Sequence, residues 1–134
     1  MPCEYTAEPD GNLVLLKVWG EVTMDERFET ITRLIADENI NRGAGFLFNV
    51  SKVSRSPTYV EMDDMSSLIR KLLAHSGGHI AMIDGNASHL ASMRILANLV
   101  YKDGPVRVRV FDNELPAREW LKREAAYAGI HPVE

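Results

Sequence analysis

The sequence predicts an α/β fold: a single domain built on a mixed, mostly parallel five-stranded sheet with an N-terminal antiparallel hairpin and four helices. Two observations carry this prediction. Short apolar runs bounded by glycine, serine and asparagine alternate with longer segments whose apolar residues recur at helical spacing, and such alternation builds parallel strands joined by crossover helices. The 134 residues are 46% hydrophobic and show no internal repeat, which fits one domain over residues 1–134 with its core at about 4–126.

Taken in order, Asp10-Gly11 is a two-residue turn signal between Glu4 to Glu8 and Leu13 to Trp19, so the chain opens with a hairpin. Thr23-Met24-Asp25-Glu26 reads as a capping box, with Met24, Phe28, Ile31 and Ile35 as the apolar stripe of the first helix. Phe46 to Val50 is too short for a helix and is assigned to a strand. Ser56-Pro57 announces the second helix, Pro at the first helical position, with a buried stripe of Met62, Met65, Ile69, Leu72 and Leu73 up to Gly77-Gly78. Ile80 to Ile83 is the next strand and Asp84-Gly85-Asn86 a turn. A third helix follows, burying Leu90, Met93, Leu96 and Val100 up to Gly104-Pro105. Val106 to Phe111 is the last strand, and Glu114 to about Ala126 the last helix, with Ala117, Trp120 and Leu121 facing inward.

If strands add in one direction, right-handed crossovers place the helices mainly on one face of the sheet. Yet Leu13-Val14-Leu15-Leu16 and Phe46-Leu47-Phe48 are apolar on both faces, so the second face also needs a cover: the folded-over termini, a second subunit or an apolar ligand. Val106-Arg107-Val108-Arg109-Val110 alternates, as an edge strand with one wet side would.

Composition excludes several classes of function. Fifteen Lys and Arg against 19 Asp and Glu give a net charge of −4, which repels a phosphate backbone, so no nucleic-acid partner is expected. No apolar stretch is long enough to span a membrane, and the first residues lack the pattern of a secretory leader. The single Cys3 allows neither an intramolecular disulfide nor a thiolate cluster, which fits a cytoplasmic setting.

The order of elements, with Phe48-Asn49-Val50-Ser51-Lys52-Val53 after the third strand and Val110-Phe111-Asp112-Asn113-Glu114 leading to Ala117 and Trp120-Leu121, resembles the STAS/SpoIIAA-like family from about Tyr5 to Leu121. The resemblance implies a SpoIIAA-like βα superhelix. It also implies a role like that of the anti-sigma factor antagonists, in which a serine beginning the helix after the third strand is phosphorylated to release a partner. A related branch resembles lipid-carrying SEC14-type domains. The antagonist pattern runs Asp-Leu-Ser-x-Val and then Asp-Ser-Ser-Gly. Asn49, Val50, Ser51 and Val53 match the first half, while the second falls on Pro57, Thr58, Tyr59 and Val60, without the acidic residue and the glycine. The phospho-switch candidates are therefore Ser56, read as a helix cap, and Thr58, read as a first-turn residue.

Ligands of open parallel sheets gather beyond the carboxyl ends of the strands, which draws Asn49, Ser51, Ser54, Asp84, Asn86, Ser88 and Asp112 to one rim. Met62, Met65, Met82 and Met93 could line an adaptable apolar pocket, with Tyr59 and Trp19 at its flanks. No nucleophile elbow and no phosphate-cradling glycine loop is present. His75 and His79 straddle Ser76-Gly77-Gly78 and are not stacked as a zinc pair, while Cys3 falls in a terminal segment expected to be mobile. The expectation is a non-catalytic binding or regulatory module without cofactor or metal. Its partner is expected to be a protein docking around Ser51 to Thr58 or a small apolar ligand held under the second and third helices. A homodimer through apolar surface fits either.

Overall fold

The computed structural model describes residues 3–100 and 107–130, without the side chains of residues 87–88 and 126–130. Strands β1 (Cys3–Ala7) and β2 (Leu13–Gly20) form the hairpin. They are followed by α1 (Met24–Ala36), β3 (Gly45–Val53), α2 (Tyr59–Ser76), β4 (Ile80–Ile83), α3 (Ala87–Val100), β5 (Val108–Phe111) and α4 (Glu114–Ile130). The strands lie in chain order, β1-β2-β3-β4-β5, antiparallel between β1 and β2 and parallel elsewhere. Val106 and Gly104-Pro105 lie outside the described residues.

The hairpin does not close on two residues. Glu8 N–H donates to Leu13 O at 2.9 Å and Gly11 N–H to Glu8 O at 2.8 Å. Pro9 therefore takes the second position of the turn, where its fixed φ is favourable, and Gly11 the left-handed position at φ 74°.

The starts of α1 and α2 each carry a reciprocal box. Glu26 N–H donates to Thr23 Oγ1 at 3.1 Å while Thr23 N–H donates to Glu26 Oε1 at 2.8 Å. For α2 the cap is Thr58, correcting the reading of Ser56: Glu61 N–H donates to Thr58 Oγ1 at 3.2 Å and Thr58 N–H to Glu61 Oε1 at 2.9 Å. The reason is chemical. A cap at Ser56 would put Tyr59 at the third helical position, where no carboxylate could answer, whereas Thr58 puts Glu61 there. Pro57 consequently precedes the cap instead of opening the helix. Arg55 grips Glu61 with both terminal nitrogens, at 2.9 and 3.1 Å, and this pair with the cap bonds pulls the Glu61 carboxyl down to about 2.

In α1 the buried residues are Thr30, Ile31 and Leu34, while Phe28 is 55% exposed. The expected stripe is thus rotated: Arg27 turns toward the sheet side, and Phe28 borders a surface groove with Asp64 and Lys71 of α2. The stripe of α2 is as predicted, with Met62, Met65, Ile69, Leu72 and Leu73 all buried. Gly77, at φ 75°, ends that helix. Gly78 passes so close to the β3 entrance that a Cβ there would sit 1.9 Å from Ala44 O.

Period-2 alternation sorts the strands between two cores. Val14, Leu16, Phe46, Phe48, Ile80, Met82 and Val108 pack with α1, α2 and α3 on one face. Leu47, Ala81 and Ile83 pack with Ala117, Trp120 and Leu121 of α4 on the other. The cover over β3 to β5 is therefore the chain's own last helix, with Leu13 and Leu15 half-buried beside it. Strand β5 is an edge, as its alternation predicts, but its arginines are engaged. Arg107 donates from Nε to Gly78 O at 3.0 Å and from Nη2 to Leu73 O at 2.8 Å, and Arg109 lies over the Phe111 and Trp120 rings at 5.4 and 5.8 Å.

Two consequences can be measured. Gly78→Ala must displace the backbone at Ala44 and is expected to destabilise the fold by about 2–3 kcal/mol in urea denaturation. Glu61→Gln is expected to cost roughly 0.5–1 kcal/mol at neutral pH. Because the Glu61 carboxyl is lowered from 4.5 to about 2 in the fold, that difference is full above pH 4.5 and closes as the pH falls through about 2.

Candidate functional site

A cavity of about 60 Å³ opens between α1, α2, α3 and the sheet. Its floor is the alternating face of the strands, with Leu16, Phe48 and Met82 presented upward. Its roof is built from Ile31, Met65, Ile69 and Met93, one contribution or more from each of the helices. Of the proposed pocket residues, Met65, Met82 and Met93 line it; Met62 is buried in the same core without lining it, and Tyr59 is 68% exposed. Tyr59 is thus a correction: as the first helical residue after the Thr58 cap it projects away from the buried stripe. Trp19 is half-buried and also outside the lining, because β2 points Val18 inward and its neighbour to the other face.

Polar groups collect where this cavity meets the carboxyl ends of the strands. Arg27 comes from the second turn of α1, Arg55 from the connection after β3, and Asp84 and His89 from the end of β4 and the first turn of α3. Asp84 continues the inward alternation of Ile80 and Met82, and it is 1% exposed. Its Oδ1 accepts from Asn86 N–H at 2.9 Å, and its Oδ2 stands 3.5 Å from Nδ1 of His89, itself 8% exposed. His89 is a residue that the reading by motif passed over. Its signal was present as an Asp followed across a turn by a His in the first helical turn, a spacing that carries no established motif.

The basic groups differ in what holds them. Arg55 is paired with Glu61, and His89 stands against Asp84. Arg27 is half-buried, and among the described residues no carboxylate lies within 4.0 Å of it; its hydrogen bond goes to the Met24 sulfur at 3.6 Å. Burial pushes its guanidinium down from the ordinary value, only partly offset by the attraction of Glu61, and Arg55 pushes the same way.

Cys3 is 3% exposed in β1 and lines the cavity, which corrects the expectation of a mobile terminal residue. Burial raises its thiol above the ordinary value, so at neutral pH it stays protonated and is a poor nucleophile. His75 is exposed in the last turn of α2, whereas His79 sits between Trp120, in an edge-to-face contact at 5.6 Å, and Glu124 at 3.4 Å. The two rings therefore face different surroundings.

The rim residues serve local structure. Asn49 Oδ1 accepts from Ser51 N–H at 3.0 Å, Ser51 Oγ accepts from Gly85 N–H at 2.9 Å, and Ser54 N–H donates to Gly20 O at 3.0 Å. Ser51 thus ties the end of β3 to the connection after β4, and Asp112 is exposed beyond them. Asp84 leaves this row for the cavity. The side chain of Ser88 lies outside the described residues.

No protein-family model matches the chain, and no curated protein is similar to it in sequence. Among solved structures, the chain is similar to an uncharacterized protein of the DUF3478 family with a SpoIIAA-like fold from Shewanella loihica PV-4. The TM-score is 0.58 and the identity 17%, over 89% of this chain and 91% of that one. Among the described residues, no helix is long and apolar enough to cross a membrane. With the sequential sheet, the hairpin and the four helices already described, the likeness establishes that this chain has a SpoIIAA-like α/β fold.

Proposed function

We propose that the protein is a non-catalytic binding module that holds a small, largely apolar ligand in the cavity beneath α1, α2 and α3. The observation that supports this reading is the lining itself: apolar side chains from the sheet and from α1, α2 and α3 converge on about 60 Å³ of space that the core leaves unfilled. Well-packed domains leave few voids larger than a water molecule. An apolar cavity of about 150 Å³ accommodates benzene, so the smaller one here suits a short aliphatic group. Three flexible methionines, Met65, Met82 and Met93, give the wall the adaptability that a binding surface uses. The protonated Cys3 thiol and the His89 ring, occupied with Asp84, favour holding over turnover.

A second reading, as a protein-interaction module, is favoured by a different observation. Tyr59 and Val60 stand 68% and 69% exposed at the start of α2, on a connection pinned by Arg55 and Glu61. Exposed apolar pairs on a rigid loop are suited to docking a partner. Phosphorylation at Thr58 would act here by setting phosphate charge against the Glu61 carboxylate that closes the cap, and at Ser56 by adding negative charge beside it. A protein captured by the native chain and lost from a Ser56→Glu, Thr58→Glu variant is the outcome this reading expects.

The cavity reading is tested by labelling the methionine methyl groups and titrating with straight-chain alcohols of two to four carbons. Met65, Met82 and Met93 signals are expected to shift together and saturate, whereas Val50→Phe, which fills the space, is expected to abolish the response. The ligand should be recovered chemically unchanged after long incubation. Unresponsive methyl groups across the series, or conversion of the ligand, would overturn the proposal.

A further inference from the structure

We propose that the ligand carries a carboxylate, and that Arg27 is the residue that selects it. This rests on the cavity reading above and names the chemistry of the ligand's head. The cavity has polar groups at one end only, because Arg27, Arg55, Asp84 and His89 all belong to strand-to-helix connections or the helix turns that follow them, and these lie at the same end of a parallel sheet. A ligand that fills the space therefore has its tail among Leu16, Ile69 and Met82 and its head among those four.

Their charges do not cancel residue by residue. Arg55 is taken by a two-pronged contact with Glu61, and Asp84 is taken by His89 and by Asn86 N–H. Arg27 is left. A guanidinium offers five donors, and here the protein answers with one thioether sulfur, a weak acceptor. A half-buried cation with no carboxylate within 4.0 Å among the described residues, drawn to Glu61 and Glu26 only from farther off, is unfavourable in the unliganded protein, and desolvation already lowers its affinity for its own proton. A carboxylate at the mouth would supply the missing acceptor in the planar, two-oxygen geometry that a guanidinium matches best.

A neutral head would leave Arg27 as it is. A cationic head would meet Arg27 and Arg55 together. A phosphate monoester, doubly charged and strongly hydrated, would confront the buried Asp84 with only one unpaired cation to balance it. A singly charged carboxylate matches the single unpaired cation. The narrow space limits the tail to a few carbons, which gives a short-chain aliphatic monocarboxylate as the ligand class.

The test compares butanoate with 1-butanol, equal in chain length and different in head, using the methyl signals of Met65, Met82 and Met93 in the native chain, in Arg27→Met and in Arg27→Lys. Methionine keeps the aliphatic stem that packs in the wall, and lysine keeps the charge. In the native chain butanoate is expected to bind about tenfold more tightly than 1-butanol, the scale of one charge-assisted contact at a half-exposed site. Arg27→Met is expected to remove that preference, so that butanoate binds no more tightly than 1-butanol to that variant, and Arg27→Lys to retain part of it. Equal binding of both probes to the native chain, or a preference that survives Arg27→Met, would show that Arg27 merely roofs the cavity and would overturn the inference while leaving the cavity reading intact. Failure of both probes to move any of these methyl groups would remove both together. If Arg27→Met does not fold, Arg27→Gln is read in its place, with the same outcomes deciding.

Discussion

The structure depends on one geometric constraint: parallel strands that follow one another in chain order must be joined by crossovers, and crossovers of one hand put their helices on one face. Helices α1, α2 and α3 pack on the same side of the sheet with the inward residues of the strands. They also all begin at its same end, so the connections that start them form one rim. The cavity lies under that rim, with apolar walls below and charged side chains above, without any dedicated insertion in the chain. An arrangement of strands that alternated direction about a central one would have split the same residues between two faces.

The constraint leaves the second face to be satisfied by another element, and α4 supplies it. Ala117, Trp120 and Leu121 bury Leu47, Ala81 and Ile83, and Arg109 lies over the Trp120 ring. Strands buried on both sides read as continuous apolar runs, which explains why Phe46-Leu47-Phe48 and Ile80 to Ile83 show no alternation in sequence although their side chains alternate strictly in space.

Most of this architecture was legible because it depends on periodicity. The buried stripe of α2 followed from spacing alone, and the alternation of strands and helices from the same periodicity, while the sequential order of the sheet was a condition that the structure meets. What was misread depends on competition between neighbouring choices. Phe28 and Arg27 are adjacent, and a rule that buries the aromatic ring and exposes the charge rotates α1 the wrong way. The long arginine stem reaches apolar surface while its head stays near the rim. Ser56 and Thr58 both offer a hydroxyl before a helix, and only the residue three positions later separates them. Asp84 was taken for turn punctuation, yet Ile80, Met82 and Asp84 share one parity, so extending the strand's own alternation by one step places it inside. The methionines pointed to an apolar pocket, and three of them line the cavity, but its place and volume could not be read in this way. It arises where side chains from several elements fail to meet, and no local pattern encodes an absence of contact.

The hydrogen bonds from Arg107 tie together parts of the molecule that are remote in sequence. One side chain of the edge strand holds the carbonyl of Leu73, in the last turn of α2, and that of Gly78, at the entrance to β4. If β5 detaches, the helix end loses an acceptor's partner at the same moment, and if the helix end unwinds, the strand loses its anchor. Peeling of the sheet margin and unwinding of the preceding helix thus become one cooperative event, which removes the low-energy openings through which a lone outer strand would otherwise recruit a neighbouring chain.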